Sequence, residues 1–402
     1  MSQYFSNPNV KYNFIFTFLQ SFGRGIWLGN VLSAYIFFLA GESNIILGYT
    51  SAAIGVAMTL TVIPAGYFAD KFRRDRILRI AGLIGAIGIV ITAMADNILM
   101  ILIALIFWGI FQGLIRPSLE AIFADSVTSG QRSKIYSWIH FVRQWSMAIG
   151  PFLNVILFLY LGDKWDINIL RSVMLVGLGI SGLSLFPLFK FSDDYARSDA
   201  EKLDLGENGN ISQSKYVPYL IITANLIVGI GAGMTIKFFP IFFLDVYGFK
   251  PILVQIVFGL SFIATGISGL LAQHASKGGG RPLIIFIVQT FAIISLFYIA
   301  SLPVVPLLII AFILRGALMN ASQPLSRSIL MDYVSKKNRA KWNSIEAVAW
   351  GLFWNFSASI GGYLVDFYGF SFTFIITGSV YIVGTLPFLF LIPLVVKEKS
   401  EN

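Results

Sequence analysis

The sequence predicts an all-α membrane protein whose twelve transmembrane helices form two repeated halves of six helices each. Of its 402 residues, 56% are hydrophobic and only 12% are charged, whereas soluble domains carry roughly twice that charged fraction. Long apolar runs recur along the chain, and a run of about 20 residues can cross a bilayer as a helix. Because lipid offers no water to the backbone N–H and C=O groups, such runs must be helical.

Each predicted span is a long apolar run bounded by polar or charged residues. The first half contains six spans, at residues 13–40, 46–70, 77–95, 99–125, 134–160 and 168–189. The second half contains six more, at residues 216–246, 250–274, 283–302, 304–331, 343–367 and 371–396. The segment between them is acidic and rich in Ser, Gly and Asn, which is typical of a linker. The predicted domains are residues 1–190, a cytoplasmic linker at 191–215, and residues 216–402.

The two halves repeat at a nearly constant distance along the chain. A shift of 207 residues superposes seven identical residues within 21 positions. The identical pairs are Pro117 and Pro324, Ile122 and Ile329, Asp125 and Asp332, Val127 and Val334, Arg132 and Arg339, Lys134 and Lys341, and Ser137 and Ser344. This similarity indicates a parallel duplication of a six-span unit.

The net charge of +9 raises the question of a nucleic-acid partner, but the distribution of the charge argues against one. Twenty of the 29 Lys and Arg residues lie in the tails and in the loops of one side, three lie on the other side, and six lie within spans. Cytoplasmic loops of membrane proteins carry such an excess of Lys and Arg. The sequence therefore predicts a multi-pass protein of the plasma membrane, embedded in the lipid bilayer, with both termini cytoplasmic.

Residues and motifs that carry catalysis are scarce. The chain has no cysteine and only two histidines, which lie far apart in sequence. Disulfides, thiol chemistry and a metal-ligand set are therefore not expected. No HExxH, Walker A or GxSxG pattern occurs. The sequence argues against an enzyme and predicts neither a cofactor nor a metal.

The connection between the second and third spans carries a recognisable motif. Residues 66–74 read Gly-Tyr-Phe-Ala-Asp-Lys-Phe-Arg-Arg, and this Gly-x-x-Ala-Asp-Lys-x-x-Arg pattern resembles the signature loop of the major facilitator superfamily of transporters. Arg73 stands at the usual second Gly of that pattern, and Asp75 at a usual basic position. Residues Gly269–His274 resemble a degenerate copy in the second half, with Gln273 in place of the carboxylate. The resemblance covers the whole chain and implies alternating access around a substrate site at the interface of the halves.

The resemblance also implies a gate on the cytoplasmic side. In such a gate, Gly66 lets two helices approach closely, and Asp70 places a carboxylate among Arg partners. Asp125 and Asp332 end the fourth and tenth spans at equivalent places, where carboxylates pair with the Arg residues of the signature loop. The predicted gate comprises Gly66, Asp70, Arg73, Arg74, Asp125 and Asp332. The alternative is a set of static ion pairs at helix ends.

Six cations lie inside the predicted spans, where a charge that faces lipid costs about 2.5–3.5 kcal/mol. They are Arg24, Arg116, Arg143, Lys237, Arg315 and Arg327. Apart from aspartates at the ends of spans, acidic partners within spans are few, namely Glu120 and Glu346, so the pattern indicates a polar cavity with positive potential. In the family, helices 1, 4, 7 and 10 line the cavity. The resemblance therefore favours Arg24, Arg116, Lys237 and Arg315 as substrate-binding residues, with Arg143 on the fifth span next.

Several of these residues also have simpler interpretations. Arg327 lies five residues before the end of its span and can reach the membrane surface. Arg116 and Glu120 are four residues apart on one helix and can form an ion pair. Glu346 follows Asn343 with the spacing of a helix-capping box.

Three prolines are candidate flex points of the helices. Pro117 and Pro324 occupy matching positions in the fourth and tenth spans, and Pro240 follows Lys237 in the seventh. Proline removes a backbone hydrogen bond, so the seventh span is expected to be bent or broken near Lys237. The alternative is that all three are static kinks.

The leading functional hypothesis is a secondary transporter that moves a small anionic or zwitterionic organic solute. Coupling to protons is a further expectation, with Glu120 as the titratable carboxylate, and the protein is expected to be a monomer.

The alternative is a proton-driven multidrug efflux antiporter. Trp27, Phe238 and Phe239 could line its cavity, and Gly150-Pro151 resembles part of an antiporter motif. A non-transporting membrane receptor or scaffold is a weaker third hypothesis, since the sequence shows no long soluble extension.

Overall fold

The computed structural model describes residues 7–127, 132–196, 216–334 and 349–395, together with Trp342, Ile345 and Glu346. Within these residues the regular structure is helical and no strand occurs. Fourteen α-helices are described. They are α1 (Pro8–Trp27), α2 (Asn30–Leu39), α3 (Asn44–Lys71), α4 (Arg74–Met94), α5 (Ile98–Ser126), α6 (Arg132–Leu161), α7 (Ile167–Leu183), α8 (Val217–Thr235), α9 (Phe239–Asp245), α10 (Pro251–Gly279), α11 (Arg281–Ala300), α12 (Val305–Tyr333), α13 (Trp354–Thr385) and α14 (Pro387–Leu391).

The described residues contain twelve spans, as the sequence predicts. Ten helical segments are long and apolar enough to cross a membrane, and α1 and α2 together form one more span, bent by 40°. One of the ten, Gly351–Leu391, has 41 residues, about twice the length that a bilayer requires. Gly369 divides it, because its φ of 81° lies in the left-handed region and ends one helix before the next begins. This division lies where the sequence separates the eleventh span from the twelfth.

Short helical segments of other types connect or interrupt these helices. Three are 3₁₀ segments (Phe186–Phe189, Asp193–Tyr195 and Ile236–Phe238), and one is a π-helical turn (Ala349–Phe353). The segment Ile236–Phe238 separates α8 from α9, so the predicted break in the seventh span is confirmed. The break between α1 and α2 is a finding that the sequence analysis did not foresee.

The chain divides into two compact units. Unit 1 comprises residues 1–42, 50–207 and 250–255, and unit 2 comprises residues 43–49, 208–249 and 256–402. Within unit 1, α1 packs against α6 and α7, and α4 packs against α5. Within unit 2, α8 packs against α13, and α11 packs against α12. The two units thus repeat their main helix pairs, as a duplicated six-span unit requires.

Small residues allow the backbones of paired helices to touch. A Cβ atom on Gly25 of α1 would lie 2.6 Å from the carbonyl oxygen of Met147, and one on Gly150 of α6 would clash with the backbone of Gly25. In unit 2, a Cβ atom on Gly233 of α8 would clash with the backbone of α13, and one on Gly361 of α13 would clash with the backbone of α8. Close backbone packing of this kind replaces the hydrophobic effect as a source of helix association in lipid. Gly150 therefore has a packing role, whatever the motif it resembles.

We expect Gly150→Ala to destabilise the protein by about 1–3 kcal/mol, because the added methyl group meets backbone that cannot move aside. The measurement is the midpoint of thermal unfolding of the purified protein in detergent. Gly179→Ala is the matched control, since a Cβ atom there meets nothing within 4 Å. A midpoint for Gly150→Ala equal to that of Gly179→Ala would contradict this account of the α1–α6 crossing.

Candidate functional site

The break between α1 and α2 lies one turn after Arg24. Arg24 is on the first span, one of the four spans that the family resemblance places around the substrate cavity. Helix α1 ends at Trp27, and Gly29 has a backbone (φ −82°, ψ −109°) outside the helical region. The carbonyl of Ile26, which loses its helical partner at this break, accepts a hydrogen bond from Asn154 Nδ2 at 2.9 Å. Trp27 is fully buried and donates to Ser181 Oγ at 3.0 Å. The residues at the break therefore have specific hydrogen-bond partners on other helices.

Arg24 is partly buried, and its Nε atom is fully buried without a hydrogen-bond partner among the described residues. Arg143 of α6 is near enough to repel it electrostatically. A fully buried donor atom without a partner costs free energy unless another polar or negatively charged group binds it. This is the arrangement that an anionic group of a solute would relieve.

Lys237 lies in the 3₁₀ segment between α8 and α9, at the break of the seventh span. Its Nζ atom lies 5.4 Å from the ring centre of Trp354, at the start of α13. A π-helical turn, Ala349–Phe353, immediately precedes that tryptophan, and such turns often occur at functional sites. Unit 2 thus carries a cation at a helix break, as unit 1 does with Arg24.

Arg315 of α12 is only 5% exposed, so it is less accessible than a cavity residue is expected to be. One of its Nη atoms donates to the hydroxyl of Tyr381 at 3.2 Å, and its guanidinium lies 4.8 Å from the ring centre of Phe239. Phe239 in turn stacks on Phe374 at 5.1 Å and contacts Phe312 at 4.9 Å. Arg315 lies against an aromatic cluster in the interior of unit 2, and a solute can reach it only if these rings move. Its role in substrate binding stays a prediction.

The aromatic residues considered as a lining for lipophilic solutes are core residues. Trp27 and Phe238 are 0% exposed and Phe239 is 1% exposed. In the conformation described here, these side chains offer no accessible surface to a solute, and a lining role for them stays a prediction.

Arg116 and Glu120 form the intrahelical pair that their spacing predicts. Arg116 Nε lies 3.9 Å from Glu120 Oε1, and their side chains are 48% and 60% exposed. An exposed pair of this kind contributes little to stability. Both groups are accessible, so the pair remains available for a role in transport, and Arg327 of α12 is exposed as well.

Glu346 takes part in a polar cluster that the sequence analysis missed. Its Oε1 atom accepts from Asn225 Nδ2 at 3.4 Å, and Asn225 Oδ1 accepts from the Ser326 hydroxyl at 3.2 Å. Asn343, the other half of the predicted capping box, lies outside the described residues. The contact with α8 could not be found from sequence spacing, because Asn225 lies 121 residues before Glu346.

The predicted cytoplasmic gate contains one of its expected ion pairs, and the same pair recurs in unit 2. The guanidinium of Arg74 bonds the carboxylate of Asp125. In unit 2, Arg281 Nη1 lies 2.6 Å from Asp332 Oδ2 and also donates to Ser328 Oγ. Arg281 is 207 residues after Arg74, so the repeat itself held the signal for Arg281, which the sequence analysis did not use.

Arg73 has partners other than the expected ones. It bonds Asp75 at 3.2 Å and Asp194, at the start of the linker, at 3.0 Å. Asp193 accepts from the backbone N–H of Arg74 at 2.6 Å, where α4 begins. The Ser192 hydroxyl and the Arg73 guanidinium hold the pKa of Asp194 below its ordinary value. Since a lowered pKa means that the folded state favours the ionised form, this contact is present at neutral pH and is lost only on acidification.

Three further expectations for the signature loop need correction or fall outside the structure. A Cβ atom on Gly66 would meet nothing within 4 Å, so Gly66 does not mark a close helix contact here. The side chain of Asp70 lies outside the described residues. Helices α3 and α10 begin 207 residues apart, so the position equivalent to Asp70 is Lys277, one helical turn after the predicted Gln273.

Two of the three candidate flex points lie inside continuous helices, and the third lies at a helix start. Pro117 lies within α5 and Pro324 within α12, and both helices continue through them. Pro240 is in the first turn of α9, directly after the break at Lys237. Whether these prolines act as flex points stays a prediction.

Comparisons with known proteins agree with this architecture. The model of the Major Facilitator Superfamily matches residues 14–273 and 221–402. A solved D-xylose-proton symporter superposes with a TM-score of 0.75 at 17% identity, over 98% of this chain and 99% of that chain. The nucleoside transporter NupG superposes with a TM-score of 0.73 at 14% identity, over 95% and 98%.

One curated relative matches a short stretch of the chain. Multidrug resistance protein 2 of Bacillus subtilis (strain 168) is 26% identical over 105 residues, which are 26% of this chain and 26% of that protein.

The family match extends over nearly the whole chain, and the repeated units and broken first helices are those of a transporter fold. The chain belongs to the major facilitator superfamily. It is a multi-pass membrane transporter with a small-molecule substrate.

We expect the Arg281–Asp332 pair to be energetically coupled. Arg281→Gln should lower the thermal midpoint, and Asp332→Asn added to it should cost little more, because the partner charge is already gone. Arg76→Gln is the control, since Arg76 is exposed and should give a midpoint within error of the wild type. Fully additive losses in the Arg281→Gln/Asp332→Asn double variant would show that the pair is not coupled.

Proposed function

We propose that this protein is a secondary active transporter of a small anionic or zwitterionic organic solute, working by alternating access. The observation that carries the proposal is Arg24, whose buried Nε has no partner among the described residues and which has a second cation, Arg143, beside it. Lys237 is at the corresponding helix break of unit 2 and provides a second counter-charge. Arg116 and Arg315 complete the proposed set of cations.

Helix breaks support this assignment on general physical grounds. Transporters of this kind bind solutes near the bilayer midplane, where discontinuous helices expose backbone groups and leave room for a ligand. Arg24 lies roughly 15 Å from the predicted start of the first span, at 1.5 Å per residue. A charge at that depth is expensive unless it serves a purpose, so intramembrane charges are functional candidates by default.

The remaining parts of the proposal concern coupling and location. We propose Glu120, an exposed carboxylate within a span and beside Arg116, as the residue that couples transport to protons. The excess of Lys and Arg in the loops of one side supports a plasma-membrane protein with both termini cytoplasmic. We further propose that it acts as a monomer.

A proton-driven exporter of amphipathic drugs is the second candidate, favoured by the match to multidrug resistance protein 2. The burial of Trp27, Phe238 and Phe239 weighs against it, since these aromatic side chains offer no accessible surface to a lipophilic cation.

The test is a thermal-shift screen of the purified protein against organic anions, zwitterions and lipophilic cations. A ligand at a hundredfold excess over its dissociation constant stabilises the folded state by about 2.7 kcal/mol. We expect anions or zwitterions to raise the midpoint, and Arg24→Gln and Lys237→Gln to abolish that rise. The double variant should also lose uptake of the same solute into proteoliposomes.

Arg327→Gln is the matched control, because Arg327 is an exposed arginine near the end of its helix and should keep the full shift. Stabilisation by lipophilic cations alone would overturn the proposal in favour of drug export. Full transport by the Arg24→Gln/Lys237→Gln variant would overturn the site.

A further inference from the structure

Within unit 2, α8 packs antiparallel to the part of α13 that follows Gly369, and two close contacts define the register. A Cβ atom on Gly384 would lie 2.8 Å from a methyl carbon of Val228. A Cβ atom on Gly231 would lie 2.8 Å from the ring of Tyr381. Three residues forward along α8 thus correspond to three residues back along α13, as antiparallel neighbours require.

The same register places Thr235 opposite Thr377, four residues further along this face of each helix. The next contact supports the alignment, because the rings of Phe239 and Phe374 stack with their centres 5.1 Å apart. Both threonines are 0% exposed, and each hydroxyl is buried without a hydrogen-bond partner among the described residues. Two unsatisfied hydroxyl groups therefore lie at one level of this helix crossing.

Arg315 of α12 reaches the same level of the crossing. Its Nη2 atom donates to the hydroxyl of Tyr381, which is one turn from Thr377 on α13. Its guanidinium also lies 4.8 Å from the ring centre of Phe239, which is on the other side of the threonine level. The Nε atom of Arg315 is buried without a partner among the described residues. Arg315 thus adds a positive charge and an unused donor beside the two threonines.

This cluster of donors lacks a negative partner. The described residues provide Arg315 with a hydroxyl and an aromatic ring, and none of the ion pairs among them includes it. A buried charge costs free energy unless it is paired, and most buried polar side chains in proteins have a hydrogen-bond partner. One small anion that accepts from these groups would satisfy the charge and the unused donors together.

We propose that Arg315, Thr235, Thr377 and Tyr381 form a binding site for a small inorganic anion of the halide type in the interior of unit 2. The Tyr381 hydroxyl accepts from Arg315, so its own hydrogen is free to donate to the anion. Hydrogen bonds between a guanidinium and an anion are among the strong ones. Arg315 is only 5% exposed and lies against Phe239, which favours a monatomic ion over an organic solute.

The bound anion would stabilise the break of the seventh span. Thr235 is the last residue of α8 and Phe239 is the first residue of α9, so the site lies at the point where this span is interrupted. An anion there would connect the end of α8 to α12 and α13. The inference goes beyond the proposed function, because this role is the same whatever solute the protein carries.

The test is thermal unfolding of the purified full chain in detergent, in sodium chloride, sodium bromide or sodium gluconate at equal ionic strength. We expect chloride and bromide to raise the midpoint by several degrees relative to gluconate, in a saturable way, because a ligand that binds the folded state stabilises it. Thr377→Val should lose most of this rise. In gluconate, Thr377→Val should unfold at or above the wild-type midpoint, because it removes a buried hydroxyl that has no other partner.

Thr373→Val is the matched control, one turn before Thr377 on the same helix. Thr373 is also 0% exposed, but its hydroxyl donates to the carbonyl of Gly369 at 2.9 Å. Its loss should lower the midpoint equally in all three salts and leave the full halide rise. Equal halide rises in Thr377→Val and Thr373→Val would overturn the proposal. So would the lack of any halide rise in the wild type, since water would then be the partner of these groups.

Thr235→Val covers the case in which Thr377→Val does not fold, and the same loss of the halide rise is expected. Crystals grown in bromide should show an anomalous peak between Thr235 and Thr377, and bromide peaks confined to other places would overturn the site. A midpoint rise that only organic anions produce would also overturn it. Arg24→Gln should keep the halide rise while losing the solute shift, so a failure of the proposed function is distinguishable from a failure of this site.

Discussion

Inside a bilayer, every backbone N–H or C=O group that leaves its helix must find another partner in the protein. This constraint explains some of the polar side chains that the structure buries. Asn154 supplies the bond that the carbonyl of Ile26 loses at the break between α1 and α2. At the end of α4, Arg171 donates to the carbonyl of Ala93 and Tyr35 to that of Ala95. Breaks and ends of helices therefore cost free energy unless another group supplies the missing hydrogen bond, as these side chains do at the three carbonyls.

The same constraint separates structural polar residues from candidate functional ones. Asn154, Tyr35 and Asp166 each complete a backbone group. The buried Nε atom of Arg24 bonds no backbone group, and a second cation, Arg143, lies near it. In a membrane protein, a buried polar side chain that bonds no backbone group is the best indicator of a ligand-binding site. The Nε atom of Arg315 is also buried without a partner among the described residues. Arg315 differs from Arg24 in that Tyr381 and Phe239 already contact its guanidinium.

The residues around the start of α4 in unit 1 show how the beginning of the linker becomes part of the fold. Ser192 bonds the Asn9 side chain through both its N–H and its carbonyl, while Asp193 and Asp194 bond the residues that begin α4. The first residues after the sixth span thus tie the N-terminal helix to the signature loop.

Much of the fold could be predicted from the sequence because its signals are periodic. The apolar runs gave span positions close to the observed helices, and the repeat located Asp125 and Asp332 as equivalent helix ends. The break at Lys237 followed from Pro240. The break after Trp27 did not, because neither Leu28 nor Gly29 removes a backbone donor.

Partner choice was less predictable than position. Arg73 bonds Asp194, which is 121 residues away, and Glu346 bonds Asn225, so no local spacing connects either pair. Charge counting located the intramembrane cations correctly, but it could not tell that Arg315 is enclosed by aromatic rings. Burial of that kind depends on how helices distant in sequence pack.

The glycine contacts at the α1–α6 and α8–α13 crossings also restrict how the sequence can change. A Cβ atom at Gly150 or at Gly361 would meet backbone atoms of the neighbouring helix, and a backbone atom cannot be replaced by a smaller one. No substitution on the neighbouring helix can therefore compensate for a larger residue at either position, whereas the apolar side chains around them can exchange volume with one another.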